Sequence, residues 1–341
     1  MNILVLYTSL TDYWVACMRY DYKINGNKYL VFRQTPNPNA PFQLNSEEGI
    51  EINNQSDFEL AALQVKIKEF NPDMIYISGW VNKKYLAIAK SYKSKGIPTI
   101  TGLDNQWKGN LRQRIGALLA PWKVKKYFSH IWVAGMLQYE FARQLKFKPQ
   151  HILNNLYCAD LDKFNNPTIA YNKRFVFIGR LVHHKGVDLL MEAFKKLKAQ
   201  HNSDWELHVI GNGDYIDELK QIEGVVHYPF IQPQDLPAEL HKGGVFVLPS
   251  RYEAWGVVVQ EAAAAAMPMI CSASVGAARH LLQNGYNGYT INDNSVSDLC
   301  KAMHKISTLP KDTLTQMAKN SGSISTNINH AMWSAQLNEV K

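Results

Sequence analysis

Two acidic residues in the second half of the chain, Glu253 and Glu261, are separated by seven residues. Glu253 precedes the start of a predicted helix, and Glu261 lies within that helix. Gly256 follows a buried strand and a loop, so we expect it to open that helix. The free N–H groups of Gly256, Val257 and Val258 would then form a phosphate site. Glu261 shares a helical face with Val257, and its carboxylate can accept hydrogen bonds from two ribose hydroxyls. Glu253 could bond a sugar hydroxyl or stabilise positive charge at an anomeric carbon.

The simpler interpretation is that both acids are solvated. For Glu261 we expect otherwise, because Val257 to Val259 and Ala262 to Ala266 make the predicted helix almost wholly apolar. An acid in a buried helix needs a partner.

A second loop, residues 179–186, also leaves a predicted strand and enters a predicted helix. Gly179 permits a sharp turn or a close backbone approach. Arg180 and Lys185 place two cations at the carboxyl edge of the sheet, where a diphosphate leaving group would need neutralisation. The alternative is two ordinary surface cations. His183 and His184 are interpreted as loop residues.

A third loop, Gly211-Asn212-Gly213, follows the predicted strand 205–210. A G-x-G after a strand hints at nucleotide contact, but Ile216 stands where a dinucleotide fingerprint has its third glycine. A plain tight turn is an equally good interpretation.

The elements around these loops alternate from end to end, which favours parallel sheets covered by helices on both faces. The fold class is α/β, with two doubly wound domains facing a central cleft and ligands at the carboxyl ends of the strands. The polar stretch Asp160 to Lys173, broken by Pro167, is predicted to be a linker. The predicted strands are 2–8, 29–33, 74–78, 97–101, 130–134, 151–154, 174–178, 205–210, 225–229, 245–249 and 268–271. The predicted helices are 57–70, 82–95, 110–126, 136–146, 187–200, 214–221, 235–241 and 256–266.

Composition is that of a globular protein: 341 residues, 46% hydrophobic and 19% charged, with a formal net charge of +8. This charge suits nucleic acid, an anionic membrane or an anionic substrate, and does not choose among them. The four cysteines are scattered, which favours reduced thiols in a cytoplasmic protein. No apolar run reaches the roughly 18 residues that span a bilayer, and the N-terminal apolar segment is interpreted as a strand rather than a signal peptide.

Taken together, these residues resemble glycosyltransferase family 4 (the group 1 transferases) of the GT-B fold, over about residues 175–290. The landmarks, in order, are Gly179-Arg180-Leu181 with Lys185-Gly186, Gly211-Asn212-Gly213, the E-x7-E pair of Glu253 and Glu261 after Pro249-Ser250, Val275-Gly276-Ala277-Ala278, and Gly285 with Asn287-Gly288.

The resemblance implies a retaining, metal-independent transfer of a sugar from a nucleotide-diphosphate donor, UDP- or GDP-sugar, to a glycan or lipid-linked saccharide in polysaccharide or glycoconjugate synthesis. No metal and no separate cofactor is expected, nor a protein nucleophile. Arg180 and Lys185 would bind the diphosphate, Glu253 the donor sugar or phosphate, Glu261 the ribose, and Phe230 would lie beside the base. Gly179, Gly211 and Gly256 to Val258 would complete the donor site.

The same resemblance implies three segments: an acceptor-binding Rossmann-like domain (1–168), a nucleotide-sugar-binding one (172–325), and a C-terminal helix (326–341) that crosses back to the first. Met332, Trp333 and Leu337 form the predicted apolar face of that helix; the alternative is a helix packed on its own domain. Asp104 stands near the place of a histidine found in many members. It could contact a sugar hydroxyl or the acceptor, and an N-cap for the next helix is the alternative.

The segment 107–128 combines basic and apolar residues. Leu111, Ile115, Leu118 and Leu119 follow helical spacing, and Trp122 comes near the end. The flanking cations are Lys108, Arg112, Arg114, Lys123, Lys125 and Lys126. The pattern suits an anionic membrane surface, giving a peripheral protein on the inner face. The alternative is an ordinary domain helix with a solvated basic face. No nucleic acid is expected, since no known binding module is present.

Three other classes compete. A nicotinamide-dependent oxidoreductase would have a glycine fingerprint after the first strand, which residues 7–10 lack. The second class is an epimerase or phosphorylase of the same fold. The third is a non-catalytic protein that binds polyanions or lipids.

Overall fold

The computed structural model describes residues 1–34, 41–166 and 168–340, and they form two compact units. The first unit contains residues 1–34, 42–158 and 328–340. The second contains residues 159–166 and 168–327, together with Pro41. Pro167, within the predicted linker, lies outside the described residues.

The first unit is built on a seven-stranded sheet in which every paired strand is parallel, in the order β3-β2-β1-β4-β5-β6-β7. The strands are β1 (Asn2–Tyr7), β2 (Lys28–Arg33), β3 (Ile50–Asn54), β4 (Met74–Ile77), β5 (Thr99–Leu103), β6 (His130–Val133) and β7 (Ile152–Leu153). Six of them confirm predicted strands. The edge strand β3 was not predicted, because its Glu51, Asn53 and Asn54 leave no apolar run.

The helices of this unit are α1 (Asp12–Asn25), α2 (Leu60–Phe70), α3 (Lys83–Lys93), α4 (Leu111–Leu118), α5 (Ala120–Lys123), α6 (Met136–Gln144) and α15 (His330–Asn338). The single helix predicted over 110–126 is wrong. It is divided at Leu119 into α4 and α5, with Pro121 in the first turn of α5, where a missing N–H costs little. Helix α1 was not predicted, because its consecutive buried residues 14–18 hide the helical period.

Helix α15 belongs to the first unit, where it packs against α1. The carboxylate of Asp21, fully buried in α1, accepts hydrogen bonds from Ser334 Oγ (2.5 Å) and Asn338 Nδ2 (2.9 Å). Trp333 and Leu337 are buried as predicted. Met332 is 40% exposed, so its place on the predicted apolar face is wrong. Ser334 takes the buried position because it bonds Asp21.

The second unit has a six-stranded parallel sheet in the order β10-β9-β8-β11-β12-β13. Its strands are β8 (Arg174–Ile178), β9 (Glu206–Ile210), β10 (Val225–Tyr228), β11 (Val245–Leu248), β12 (Met269–Ser272) and β13 (Gly288–Ile291). Its helices are α7 (Leu161–Phe164), α8 (Val187–His201), α9 (Ile216–Lys220), α10 (Leu236–Leu240), α11 (Val257–Ala264), α12 (Ala278–Leu281), α13 (Val296–Ser307) and α14 (Lys311–Ser325). Together the two sheets confirm the predicted α/β fold with doubly wound parallel sheets.

The division between the units falls after Cys158, earlier than the predicted boundary at 168. Two hydrogen bonds account for the difference. The backbone N–H of Ala159 donates to Gln260 Oε1 at 2.8 Å, and the carbonyl of Phe164 lies 3.0 Å from His241 Nε2. Helix α7 therefore packs within the second unit, in part of the stretch predicted to be a linker.

Candidate functional site

The loops predicted to do chemistry meet at one point of the second sheet. Strands β8 and β11 are neighbours, and the strand order runs outward from them in opposite directions. This is the topological switch point of the sheet, where the loops that leave the two strands diverge and open a crevice. Residues 179–186 follow β8 and residues 249–256 follow β11. The topology thus brings together the two loops predicted from their glycines and charges.

Backbone and side-chain hydrogen bonds join these two loops. The Arg251 N–H donates to the His184 carbonyl at 2.9 Å, and Arg251 Nη1 donates to the His183 carbonyl at 2.7 Å. The Arg251 guanidinium also donates to both carboxylate oxygens of Asp188, each at 2.6 Å. These bonds hold the pKa of Asp188 below its usual value. Neither Arg251 nor Asp188 was predicted as a site residue, although Arg251 stands two residues before Glu253.

Gly186 is the point of closest approach between the loops. Its φ of 71° lies in the left-handed region. A Cβ at this position would lie 2.1 Å from the carbonyl oxygen of Pro249, far inside van der Waals contact. Only glycine satisfies both conditions, so Gly186 lets the loop after β11 pack directly against the loop after β8.

Lys185 and Glu253 form an ion pair across the two loops. Each side chain is only 14% exposed. Opposite charges reduce the cost of burying each other, and an incoming polyanion would compete with the carboxylate for the ammonium group. The pKa of the neighbouring His184 is lowered, first by burial and then by the cations Lys185 and Arg180, while Glu253 acts in the opposite direction.

The loop that carries Glu253 is also braced by the segment after β12. Gly276 N–H donates to the Glu253 carbonyl at 3.2 Å, and Ala277 N–H donates to the Trp255 carbonyl at 2.8 Å. Trp255 is buried, with its ring centroid 5.3 Å from that of His280. Burial lowers the pKa of His280, with a smaller effect from Arg279. The brace fixes the backbone that leads into α11.

Helix α11 begins as predicted, with Gly256 as its N-cap at a φ of 90°. The N–H groups of its first turn have no partner within the helix. They begin at the end of the loop that carries Glu253, at the carboxyl edge of the sheet. This arrangement suits an anion such as a phosphate.

Glu261 is half-buried, and the buried polar residue of α11 is its neighbour Gln260. Gln260 accepts from the Ala159 N–H, and its Nε2 donates to the Ser325 carbonyl at 2.9 Å. Most of α11 is buried, as its apolar sequence predicts, and Glu261 is half-buried in it rather than fully solvated. It lies on the same side of α11 as Val258, which is also half-buried.

The loop after β9 is bonded to those beside it. Leu181 N–H donates to the Asn212 carbonyl at 2.8 Å, and Asp214 N–H donates to the Leu181 carbonyl at 2.8 Å. Asn212 Oδ1 accepts from the backbone N–H of Phe230 at 3.2 Å. The loop of Gly211, after β9, thus lies between the loop of Arg180, after β8, and the loop of Phe230, after β10.

Asp104 belongs to the first unit, where it directly follows β5. Its Oδ2 accepts from the hydroxyl of Tyr157 at 3.3 Å, and its carbonyl accepts from Gln138 Nε2 at 2.7 Å. Helix α4 is capped instead by Asn110, whose side chain accepts from the Gln113 N–H at 3.0 Å. The alternative interpretation of Asp104 as an N-cap is therefore wrong.

Within the described ranges, no three His, Cys, Asp or Glu side chains form a group that could hold a metal ion. The cysteines, Cys17, Cys158, Cys271 and Cys300, are buried thiols that are not joined in disulfides. None of the described helices combines the length and the apolar character needed to cross a membrane.

Residues 160–323 match the family model described as glycosyl transferases group 1. An uncharacterized glycosyltransferase of Methanocaldococcus jannaschii is 33% identical over 135 residues, which is 37% of this chain and 34% of that protein. The glycogen synthase of Mycobacterium tuberculosis is 25% identical over 70% of this chain and 61% of its own length. A GDP-mannose-dependent alpha-(1-6)-phosphatidylinositol monomannoside mannosyltransferase of Mycolicibacterium smegmatis is 30% identical over 38% of this chain and 37% of that protein. The matches thus span between about a third and three fifths of these relatives.

Among solved structures, Anabaena HepE in complex with UDP and glucose superposes with a TM-score of 0.76 at 16% identity, over 99% of this chain and 98% of that one. Sucrose-phosphate synthase of Thermosynechococcus elongatus gives a TM-score of 0.75 at 15% identity, over 100% and 98%. At these identities the likeness concerns the fold. The chain therefore carries, in residues 160–323, the domain of the group 1 glycosyltransferases, and its two parallel sheets have the fold of the GT-B glycosyltransferases.

Proposed function

We propose that this protein transfers a sugar from a nucleotide-diphosphate donor, a UDP- or GDP-sugar, to a glycan or lipid-linked saccharide. The observation that carries the proposal is the largely buried Lys185–Glu253 ion pair at the switch point of the second sheet. A cation for phosphate and a carboxylate for the sugar meet there, near the first turn of α11.

Each residue of the site is proposed to contact one part of the donor. Lys185 and Arg180 bind the diphosphate, together with the first-turn N–H groups from Gly256 to Val258. Glu261, half-buried on the same helix, accepts hydrogen bonds from the ribose hydroxyls. Phe230, in the loop after β10, packs beside the base. Gly211, where a Cβ would lie 2.0 Å from the Gly179 carbonyl oxygen, lets the loops that carry Gly179 and Gly211 pack closely beside the proposed donor site.

The proposed chemistry needs no protein nucleophile. The bond between the anomeric carbon and the phosphate oxygen breaks, and the diphosphate leaves with the electron pair. The acceptor hydroxyl attacks from the same face, so the anomeric configuration is retained, and its proton passes to an oxygen of the departing phosphate. Lys185, Arg180 and the helix N-terminus stabilise the charge that develops on the leaving group, in the role that a divalent metal otherwise fills. Glu253 stabilises the positive charge at the anomeric carbon.

The relatives support a sugar donor of this kind. One similar structure is a complex with UDP-glucose, and one relative is named as GDP-mannose-dependent. The relatives also include a glycogen synthase and a putative colanic acid biosynthesis glycosyltransferase of Salmonella typhimurium. They favour a saccharide acceptor and a role in polysaccharide or glycoconjugate synthesis.

For the acceptor we propose the carboxyl edge of the first sheet. Asp104, directly after β5, is half-buried beside the hydroxyl of Tyr157. A carboxylate next to an aromatic side chain is a suitable pair for a sugar hydroxyl and the apolar face of a sugar ring.

The test is calorimetric titration with UDP, GDP and ADP, each with and without EDTA, followed by the sugar nucleotides. We expect one nucleotide to bind in EDTA, and NMR of the product formed with an added saccharide to show the donor's anomeric configuration. Free nucleotide released from the donor alone would favour an epimerase. The absence of binding by any nucleotide would reject the proposal and leave the polyanion binder.

A further inference from the structure

Helix α4 displays apolar side chains to solvent. Leu111, Ile115 and Leu118 are 74%, 50% and 71% exposed, and Trp122 in α5 is 66% exposed. The first three share one face of the helix by their spacing. Within α4 the buried residue is Ala117. In an ordinary domain helix the apolar stripe would pack into the core. In α4 the stripe is exposed and does not pack into the core of the first unit.

Four large apolar side chains exposed within one short segment are a candidate interaction site. The hydrophobic effect favours removal of these side chains from water. We call the surface formed by Leu111, Ile115, Leu118 and Trp122, with the cations around it, the α4–α5 surface.

The cations around the stripe indicate the charge of the partner. Five exposed basic side chains flank it: Lys108, Arg112, Arg114, Lys123 and Lys126. Between Asp104 and Glu140 the sequence has no acidic residue. Most of the formal charge of +8 can thus be traced to this short region. Its partner should be both anionic and able to accept apolar side chains.

We propose that the α4–α5 surface binds an anionic lipid bilayer, with the apolar stripe inserted at the headgroup boundary. A bilayer supplies both anionic headgroups and an apolar layer for the leucines and the tryptophan. A second copy of the chain would bring the same positive charge into contact with itself. A nucleic acid would match the cations but offers no apolar layer to the leucines. The binding needs neither donor nor acceptor, so it stands apart from the proposed transfer reaction.

The test is co-sedimentation of the full chain with phosphatidylcholine vesicles, with and without about 30 mol% of the anionic lipid phosphatidylglycerol. We expect binding that requires the anionic lipid and weakens with salt. The double variant R112E/R114E should lower the partition coefficient by about tenfold or more, since each basic residue near an anionic surface contributes substantially. The double variant L111Q/L118Q should lower the partition coefficient by a similar factor but leave its dependence on salt concentration unchanged.

Matched variants separate the surface from the overall charge. K195E/K220E changes two exposed lysines of the second unit and alters the net charge equally. I24Q/V65Q changes two exposed apolar residues elsewhere in the first unit. Both should bind vesicles as the unaltered chain does. Equal losses in R112E/R114E and K195E/K220E would overturn the proposal, as would sedimentation independent of phosphatidylglycerol. It would also be overturned if L111Q/L118Q abolished a dimer in analytical ultracentrifugation, or if RNA bound while vesicles did not.

Discussion

The guanidinium of Arg251 donates two parallel hydrogen bonds of 2.6 Å to the carboxylate of Asp188, and this pair joins the loop after β11 to the first turn of α8. Bidentate pairs of this kind fix geometry as well as charge. Both loops of the proposed donor site are positioned through it. Neither residue needs to touch the donor for the pair to matter.

Replacement of Arg251 by lysine keeps the charge but removes one of the two parallel hydrogen bonds. We expect R251K to raise the Kd of the bound nucleotide by about tenfold, because the loop carrying Glu253 loses its fixed position. Calorimetry would measure this. D188N should give a similar loss, and the double variant should lose little more, because both disrupt one interaction. R279K, at an exposed arginine of the same unit, is the control; a similar loss there would contradict the explanation.

Gly186 should not tolerate alanine. The new Cβ would collide with the Pro249 carbonyl at 2.1 Å, in a backbone conformation of φ 71°. We expect G186A to destabilise the second unit by about 3 kcal/mol or more, measured by urea unfolding. Gly285 is the matched control, since its φ is 77° and a Cβ added there would meet no atom within 4 Å. G285A should cost only about 1 kcal/mol of backbone strain. Equal losses would show that steric contact with Pro249 is unimportant.

Glu253 and Lys185 should respond differently to substitution. In E253Q the ammonium of Lys185 loses its competing carboxylate. We therefore expect the nucleoside diphosphate to bind as tightly as before or more tightly, while kcat falls by about a hundredfold because the charge at the anomeric carbon is no longer stabilised. K185M should weaken binding and turnover together. E218Q, at an exposed acid of α9, is the control. Unchanged kcat in E253Q would reject the role given to this carboxylate.

Glu261 should act on the ribose. We expect E261A to weaken binding of the ribonucleoside diphosphate by about tenfold or more, the usual effect of losing hydrogen bonds to a charged group. The 2′-deoxy nucleotide offers one hydroxyl fewer, so the variant should discriminate less between the two ligands. Calorimetry with the UDP and dUDP pair, or the GDP pair, measures this difference. An undiminished preference for the ribonucleotide in E261A would place the ribose elsewhere.

The sequence predicted those features that depend on neighbours along the chain. Strand and helix alternation indicated both sheets, and the glycines with Arg180, Lys185 and Glu253 marked the loops that the topology brings together. Pairs made by distant residues were missed. Arg251 and Asp188 are 63 residues apart, and Ser334 lies 313 residues from Asp21.

The buried position of Gln260 in α11 has a similar cause. Its composition is apolar on almost every side, so no hydrophobic stripe distinguishes a buried Gln260 from a half-buried Glu261. The difference arises from the packing of α7 and α14 against α11, which places Ala159 and Ser325 within reach of the glutamine. Only the tertiary structure supplies that information.

The pKa of His130 gives a pH dependence that can be tested in the first unit. Burial, and to a smaller extent His151, lowers this pKa to about 4. The unfolded chain would have its usual value of about 6.5. Between these values the unfolded state binds more protons, so the free energy of unfolding is greatest above about pH 6.5 and falls as the pH drops towards 4. Urea unfolding at pH 7, 6 and 5 should show this decline.

The variant H130N isolates this contribution. Its side-chain oxygen can accept the hydrogen bond that Ser129 Oγ shares with His130 Nδ1 at 2.9 Å, so most of the stability at pH 7 should be kept. The decline between pH 7 and pH 5 should become shallower, because the variant has no imidazole that gains a proton on unfolding. A slope that is the same in H130N and in the unaltered chain, or a His130 ring that titrates near pH 6.5 by NMR, would refute this assignment.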